Sequence, residues 1–212
     1  MPNLIVFHGT ANTSPLPVYL RASTGGELNL SRLTQIPDGG VQFDASGANS
    51  IIDLSTLATY VGAEQSTSWG VTDGGAIVAP QLLTLHNAFL FVDGAGSSIS
   101  TARLTNIDAL NINAMDGAVV DFSGLSSYAG ANGVSFDANG AGTTIILSNL
   151  VTLDGTTGGQ LGVTASGGAR IDLHRLSQVT EGGLNVSVSS PNSTIDLAAL
   201  TVLHGGGGNS AS

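Results

Sequence analysis

Cysteine and lysine are both missing from this chain of 212 residues, and all five basic side chains are arginines. Without cysteine the protein has neither a disulfide framework nor a thiolate metal site. Charged residues make up only 9% of the chain, and the formal net charge is −10. Binding to nucleic acid or to an anionic membrane requires clustered lysine and arginine. The composition therefore predicts a protein that binds neither.

Long apolar segments and a secretion signal are also missing. No run approaches the roughly 20 apolar residues of a membrane span, so no membrane insertion is expected. The opening MPNLIVF lacks the basic start and long apolar core of a signal peptide. An acidic, lysine-free composition is typical of proteins outside bacterial cells and favours an extracellular or cell-surface location. We therefore expect a fragment of a longer exported protein.

Glycine is abundant, at 30 residues, and the chain contains an internal repeat. A six-residue motif such as IDLHRL occurs eight times, at intervals of 24, 25, 22, 21, 25, 26 and 24 residues. The copies begin at Leu28, Ile52, Ile77, Ile99, Val120, Ile145, Ile171 and Ile195. The sixth position is leucine in every copy, and the position three residues later is always apolar or aromatic. Such regular columns indicate one structural unit repeated along the chain.

Each unit contains two strand-like alternations separated by a bend and closed by a turn rich in glycine, serine, asparagine and alanine. The second alternation places an apolar pair toward the core, for example Val41 with Phe43 and Phe89 with Phe91. One unit cannot bury its own apolar stripe, but stacked units can, with parallel strands about 4.8 Å apart. The sequence therefore predicts an all-β fold, a parallel β-helix (β-solenoid) of about eight coils with about 24 residues per coil.

The predicted solenoid divides the chain into three parts. Residues 1–27 form an N-terminal cap or an incomplete first coil, and residues 28–204 form the β-helix. Residues 205–212, GGGGNSAS, form a flexible tail without apolar residues to cover the last coil. An uncovered last coil makes end-to-end self-association possible, as well as contact with neighbouring β-helix domains.

The texture IDLSxL…LxVxAxxGGxIDLxxL resembles the repeats of right-handed parallel β-helix proteins of bacterial surfaces, the broad pectin-lyase-like class. It is also similar to the shorter leucine-rich coils of receptor-L-type domains. The resemblance covers about residues 28–204 and implies a right-handed β-helix. It does not select an activity, because this class includes polysaccharide lyases, glycoside hydrolases, adhesins and inert stalks.

One polar group stands out from the repeat. Asp172 and Asp196 occupy the second motif position on adjacent coils, which places them about 5 Å apart. His174 lies two residues beyond Asp172 and points to the same side of an extended strand. With Arg175 these are the candidate catalytic residues if the chain is an enzyme, and Glu181 is a possible addition. The simpler interpretation is a solvated acidic face with Arg170 and Arg175 as counter-charges.

Metals and cofactors have little support in the sequence. Asp172 and Asp196 are weak calcium candidates because two close carboxylates repel each other and attract a cation. No other metal or cofactor is expected. The lyases of the resembling class use an acidic calcium site beside a basic residue, whereas this chain has no lysine and its arginines are dispersed. Lyase chemistry is therefore disfavoured.

Aromatic residues offer a second candidate surface. Trp69, the single tryptophan, lies within the long loop GAEQSTSWG and would suit sugar stacking. However, Trp69, Tyr60 and Tyr128 all fall on inward columns, so we predict that they lie in the core with the tyrosine hydroxyls reaching outward. His86 and Asp108 share a column on neighbouring coils and are predicted to form a surface ion pair.

Taken together, these features favour a non-catalytic structural or adhesive segment of a larger bacterial extracellular protein. The alternatives are a carbohydrate-active β-helix enzyme and a glycan-binding module, for which polysaccharide would be the partner. An enzyme requires a groove flanked by long loops over a cluster of acids and bases. This sequence has mostly short turns and scattered charge.

Overall fold

The computed structural model describes residues 4–8, 18–37, 40–62, 67–130, 133–154 and 160–204. The described residues contain strands and turns but no helix, as predicted. There is accordingly no helix in this part of the chain that is long and apolar enough to cross a membrane. The tail at 205–212 lies outside the described residues, as does much of the predicted cap at 1–27.

The described residues form 23 strands, most of them three to six residues long. In chain order they are β1 (Val18–Ser23), β2 (Glu27–Asn29), β3 (Gln35–Ile36), β4 (Val41–Ser46), β5 (Ile51–Asp53), β6 (Thr59–Val61), β7 (Ser68–Thr72), β8 (Ala76–Val78), β9 (Thr84–His86), β10 (Ala88–Asp93), β11 (Ser98–Ile99), β12 (Leu110–Met115), β13 (Val119–Asp121), β14 (Ser127–Ala129), β15 (Ser135–Asn139), β16 (Thr144–Ile146), β17 (Thr152–Asp154), β18 (Gln160–Ser166), β19 (Arg170–Asp172), β20 (Gln178–Val179), β21 (Gly183–Val188), β22 (Thr194–Asp196) and β23 (Val202–Leu203).

The strands stack into three faces of a parallel β-solenoid. The main sheet is continuous and has the order β1-β4-β7-β10-β12-β15-β18-β21. The motif face consists of β2-β5-β8-β11 and β13-β16-β19-β22, and the third face of β3-β6-β9 and β14-β17-β20-β23. Every pairing between named strands is parallel, and each pairs one turn with the next. The predicted parallel β-helix with about 24 residues per coil is confirmed. We number coils 1 to 8 by the motif copies, and each coil begins with the main-sheet strand that precedes its motif.

The motif recurs because it builds a corner. In five copies an aspartate or asparagine at the second position accepts a hydrogen bond from the backbone N–H two residues later, at 2.8–3.2 Å. In all eight copies the N–H of the sixth-position leucine donates to the carbonyl of the third residue, at 2.8–3.0 Å. The first bond is an Asx turn and the second is a β-turn. Together they turn the chain from the motif face to the third face.

The leucine at this corner fills the core. Seven of the eight sixth-position leucines have no exposed surface, and the last, Leu200, is partly buried because it lies in the final coil. The next apolar column, from Ile36 to Val179, is also buried, and only Leu203 in coil 8 is exposed. Replacing one of the fully buried leucines with alanine costs about 2–5 kcal/mol in comparable cores. The predicted columns are therefore the core of the solenoid.

One predicted pair has the opposite orientation. Phe89 and Phe91 point outward from the main sheet, and the inward residues of β10 are Ala88, Leu90 and Val92. Because every residue from 88 to 92 is apolar, the alternation there had two possible phases. The link after β9 is short, with Asn87 at a positive φ of 51°, so the first inward residue of β10 is Ala88, which pairs with the inward Leu110 of β12. The inward prediction for this pair was wrong.

The turns that join the main sheet to the motif face alternate between two types. Coils 2, 4, 6 and 8 have a hydroxyl residue two positions before the motif, and coils 1, 3, 5 and 7 have glycine or alanine there. The hydroxyl residues are Ser50, Ser97, Thr143 and Ser193. Each donates to a carbonyl of its own turn and accepts the N–H of a glycine in the preceding coil, at 2.9–3.0 Å. The turns are therefore joined in pairs, and the structural period is two coils.

Two of the three faces are interrupted between coils 4 and 5. β11 and β13 are end strands of separate sheets, and β14 likewise begins a new sheet on the third face. The main sheet continues across this seam through six residue pairs of β10 and β12. At the corner, a Cβ on Gly124 would lie 2.6 Å from the carbonyl oxygen of Ala102. Glycine therefore allows coil 5 to contact coil 4 at the corner while the adjacent strands stay apart.

The ends of the solenoid have different surroundings. At the start, Val6 bridges to Gln35 on the third face, and Leu4 and Phe7 pack against the core. β1 forms the first edge of the main sheet. At the other end β21, β22 and β23 are the last strands of their sheets, and Val186 and Val188 are 40% and 51% exposed although their register is inward.

Candidate functional site

Asp172 and His174 form the closest side-chain pair among the predicted site residues. His174 Nδ1 lies 2.7 Å from Asp172 Oδ1, and the His174 backbone N–H donates to the same oxygen at 3.2 Å. β19 ends at Asp172, so His174 lies in the corner turn and not on an extended strand. The predicted proximity is therefore present, but the Asx turn creates it.

Arg170 joins Asp172 to Asp196 across two coils. The two aspartates are direct partners in the pairing of β19 with β22, as their spacing predicted. Arg170 Nη2 lies 3.6 Å from Asp172 Oδ2 and 3.7 Å from Asp196 Oδ2. One arginine thus compensates two carboxylates on an open surface, where each such pair contributes only about 0–1 kcal/mol.

The ionisation of Asp172 follows from these contacts. Partial burial raises the pKa of its carboxyl group. The hydrogen bonds from His174 and the charges of His174 and Arg170 lower it by more, so the pKa lies below its ordinary value of 3.8. Asp172 is therefore a carboxylate at neutral pH and acts as an acceptor for His174.

Arg175 does not join this group. Its Nη1 donates to Asn149 Oδ1 on the preceding coil at 2.9 Å, away from the two aspartates. Glu181 is exposed, and no contact in the described part of the chain joins it to the pair. Of the four candidate catalytic residues, the structure brings together Asp172, His174 and Asp196, with Arg170 in the place predicted for Arg175.

The chemistry of this cluster is limited by its surroundings. His174 is 45% exposed at its side chain and contacts no hydroxyl nucleophile among the described residues. Within the same residues, no group of three or more histidine and acidic side chains is arranged to hold a metal ion. The arrangement is a corner cap of the kind seen in four other coils, with an imidazole added.

A cleft of about 310 Å³ lies elsewhere, at the seam between coils 4 and 5. Its walls include Ile99 and Val119 from the two separated strands, with Arg103 and Asp121 also lining it. Arg103 Nη1 donates to Gln81 Oε1 at 2.9 Å and to the carbonyl of Pro80 at 3.3 Å, so it is engaged by coil 3. Arg103 in this cleft is three coils from His174, which is about 14 Å on strand spacing, and the two features do not form one site.

The aromatic residues of the inward columns are buried as predicted. Trp69 and Tyr60 have no exposed surface, and Tyr128 is 2% exposed. Trp69 aligns with Phe43 and Leu90, at the second inward position of the strand. The ring of Trp69 makes edge contacts with those of Phe43 and Tyr60, at centroid distances of 4.9 and 5.4 Å. None of these rings is available to a ligand in this structure.

The tyrosine hydroxyls remain inside the core. Tyr60 Oη lies 3.4 Å from the Val41 carbonyl oxygen and 3.4 Å from Thr67 Oγ1. Burial raises the pKa of Tyr60 to about 12 despite these bonds. Burial, and then the charge of Asp108, raises the pKa of Tyr128 as well. The prediction that the hydroxyls reach outward was wrong, and both remain protonated at neutral pH.

The predicted pair on the third face is present. His86 Nε2 lies 3.6 Å from Asp108 Oδ2. Asp108 Oδ1 also accepts the backbone N–H of Ala129 at 3.0 Å and so connects coil 4 to coil 5 across the seam. This contact is structural.

Sequence reasoning missed the exposed aromatic pair Phe89 and Phe91. Their rings are nearly parallel, at 17°, with centroids 6.4 Å apart. The signal was present in the sequence, because AFLFV is apolar in both phases of the strand and one phase must face solvent on an uncovered sheet.

Comparison of the chain with family models, curated proteins and solved structures gives no match. The function proposed below therefore rests on the repeat, the register and the contacts of the described residues.

Proposed function

We propose that this chain is a non-catalytic structural or adhesive segment of a larger bacterial extracellular protein of the pectin-lyase-like β-helix type. The observation that supports it best is the continuous main sheet, in which eight strands are stacked one per coil. Such stacking gives an extended rod about 38 Å long for eight coils. Its core is uninterrupted along this length, since one cluster of buried residues extends from Ala22 to Val179.

The candidate site also supports a non-catalytic role. Asp172 caps its own corner, and Arg170 compensates its charge. Catalysis by an aspartate–histidine pair is favoured by shelter from water. The His174 side chain is 45% exposed, so the described residues around it leave the pair open to solvent.

Location and activity are tested separately. An antibody against the chain is applied to intact and to permeabilised cells that express the parent gene. Labelling of intact cells is expected, and labelling only after permeabilisation would overturn the extracellular proposal. A panel of polysaccharides is then incubated with the protein and assayed for reducing and unsaturated ends. No release is expected, and release that is lost in both Asp172→Asn and His174→Ala would establish the enzyme alternative.

A further inference from the structure

The outer face of the main sheet contains an aromatic strip on a mainly polar surface. Phe89 is 40% exposed and Phe91 is half-buried, and both project from β10 in the middle of the sheet. They are two residues apart on one strand, so the strip runs along β10 and across the axis of the rod. Aromatic residues make up only 5% of the sequence, so two adjacent aromatic rings that face outward are unusual.

Short polar residues surround the two rings. On the side of β7 the direct neighbours are Ser68 and Gly70, and on the side of β12 they are Asn111 and Asn113. Gly70 leaves the sheet bare beside Phe91, because a Cβ there would have no contact closer than 3.8 Å. The strip therefore lies in a shallow open surface and is accessible from the β7 side.

Several of these polar groups are available to a ligand. In the described part of the chain, the hydroxyl of Ser68 and the side-chain amide of Asn113 make no hydrogen bond. Asn111 uses its Oδ1 to accept the N–H of Ser135 at 2.9 Å, which leaves its Nδ2 as a donor. The rings are thus flanked by unpaired amide and hydroxyl groups that suit a partner rich in hydroxyls.

Charge narrows the chemistry of the partner. The nearest basic residue on this face, Arg21, is three strands away and is paired with Asp44 at 3.1 Å. No cation therefore lies beside the rings on the described surface, which disfavours phosphate, sulfate and uronate ligands. Specific protein partners usually bury about 800 Å² of total surface on each side, and two rings would be only a small part of such an interface.

We propose that this surface, formed by Ser68, Gly70, Phe89, Phe91, Asn111 and Asn113, binds an uncharged polysaccharide. The carbon–hydrogen faces of two successive sugar units lie against the two rings, and their hydroxyls bond to the flanking amides and the serine. The sugar chain runs along β10, across the rod. This proposal names the partner for the adhesive part of the proposed function and rests on that part.

The test measures binding of soluble oligosaccharides of glucose, mannose, galactose, xylose and N-acetylglucosamine by calorimetry, with polygalacturonate and heparin as anionic comparisons. Phe89→Ser and Phe91→Ser remove one ring each from an outward position, so the fold is retained. Tyr19→Ser is the matched control, because Tyr19 is 65% exposed on the same face but three strands away. Gly70→Val adds a side chain beside Phe91 that blocks access without removing a ring.

Saturable binding of at least one neutral glycan is expected. The affinity should fall about tenfold or more in Phe89→Ser, Phe91→Ser and Gly70→Val and should be unchanged in Tyr19→Ser. The tenfold figure follows the loss of affinity when stacking aromatic side chains are removed from other complexes. Absence of binding across the neutral panel, binding confined to the anionic glycans, or binding that persists in both phenylalanine variants would overturn the proposal. So would self-association that depends on the two rings, since a second copy would then be the partner. Any of these results would leave the antibody labelling of intact cells unaffected, so failure here is distinct from failure of the extracellular proposal.

Discussion

Thr143 gives the sharpest test of the paired turns. Its hydroxyl donates to the Asn139 carbonyl at 2.8 Å and accepts the Gly117 N–H of the preceding coil at 2.9 Å, and the residue is 1% exposed. Thr143→Val keeps the shape and removes both bonds. Each bond contributes about 1 kcal/mol, and a donor left buried without a partner costs about 1–3 kcal/mol more. We therefore expect a loss of about 3 kcal/mol in the free energy of unfolding.

The experiment combines urea unfolding with hydrogen exchange of the Gly117 amide. Because coils of a solenoid do not unfold as one unit, exchange at the turn is the more direct measurement. Thr143→Ser retains the hydroxyl and should lose less than about 1 kcal/mol. Thr152→Val is a matched control, since Thr152 is half-buried and its hydroxyl makes no hydrogen bond to the described residues. If Thr143→Val changes neither unfolding nor exchange more than Thr152→Val does, the hydroxyl bridge does not couple the coils.

Three further predictions concern the seam, the acidic corner and the two-coil period. Gly124→Ala introduces a Cβ 2.6 Å from the Ala102 carbonyl oxygen and should lower the free energy of unfolding by about 1–3 kcal/mol. Gly70→Ala meets no close atom and should change it by less than about 0.5 kcal/mol. Equal effects of the two substitutions in urea unfolding would contradict the tight corner at Gly124. Because folding lowers the pKa of Asp172, its ionisation stabilises the fold above its unfolded-state pKa, and this stabilisation is lost as pH falls through the folded-state pKa. The deficit of Asp172→Asn relative to the unmodified protein should therefore shrink as urea titrations move from neutral to strongly acidic pH, and a deficit independent of pH would refute this. Deleting residues 145–194 removes coils 6 and 7 and preserves the alternation of turns. Deleting residues 145–170 removes one coil and places the hydroxyl turn of Ser193 directly after that of Thr143. Thermal melts should show the shorter deletion to be the less stable, and the reverse order would exclude a two-coil period.

The repeat could be read from the sequence because its strongest determinant is local. A leucine at a fixed corner position and an apolar residue three positions later are required in every coil, so the columns survive variable loop lengths. The second-position residues Asp172 and Asp196 were predicted to lie on adjacent coils for the same reason. Their task as Asx caps depends on side-chain direction, which the spacing alone does not determine.

The errors have equally local causes. The phase of β10 was ambiguous because Ala88 to Val92 are all apolar. The phase is set by the link through Asn87, whose left-handed backbone is one that asparagine often adopts but does not require. The pairing of turns was overlooked because it appears only when every second coil is compared. Arg175 was expected beside Asp172, but the corner sends consecutive side chains to different sides, so it contacts Asn149 on the preceding coil.

The seam between coils 4 and 5 determines how the rod responds to a sideways load. Only the main sheet is continuous there, so the six residue pairs of β10 and β12 act as a hinge between two blocks of four coils. Bending that opens the motif face separates no strand hydrogen bonds, because β11 and β13 share none. Bending in the opposite sense stretches the main sheet and must break its ladder. The rod therefore yields in one direction and resists in the other, and the aromatic strip lies on β10, one of the two strands of this hinge, on the face that stays intact.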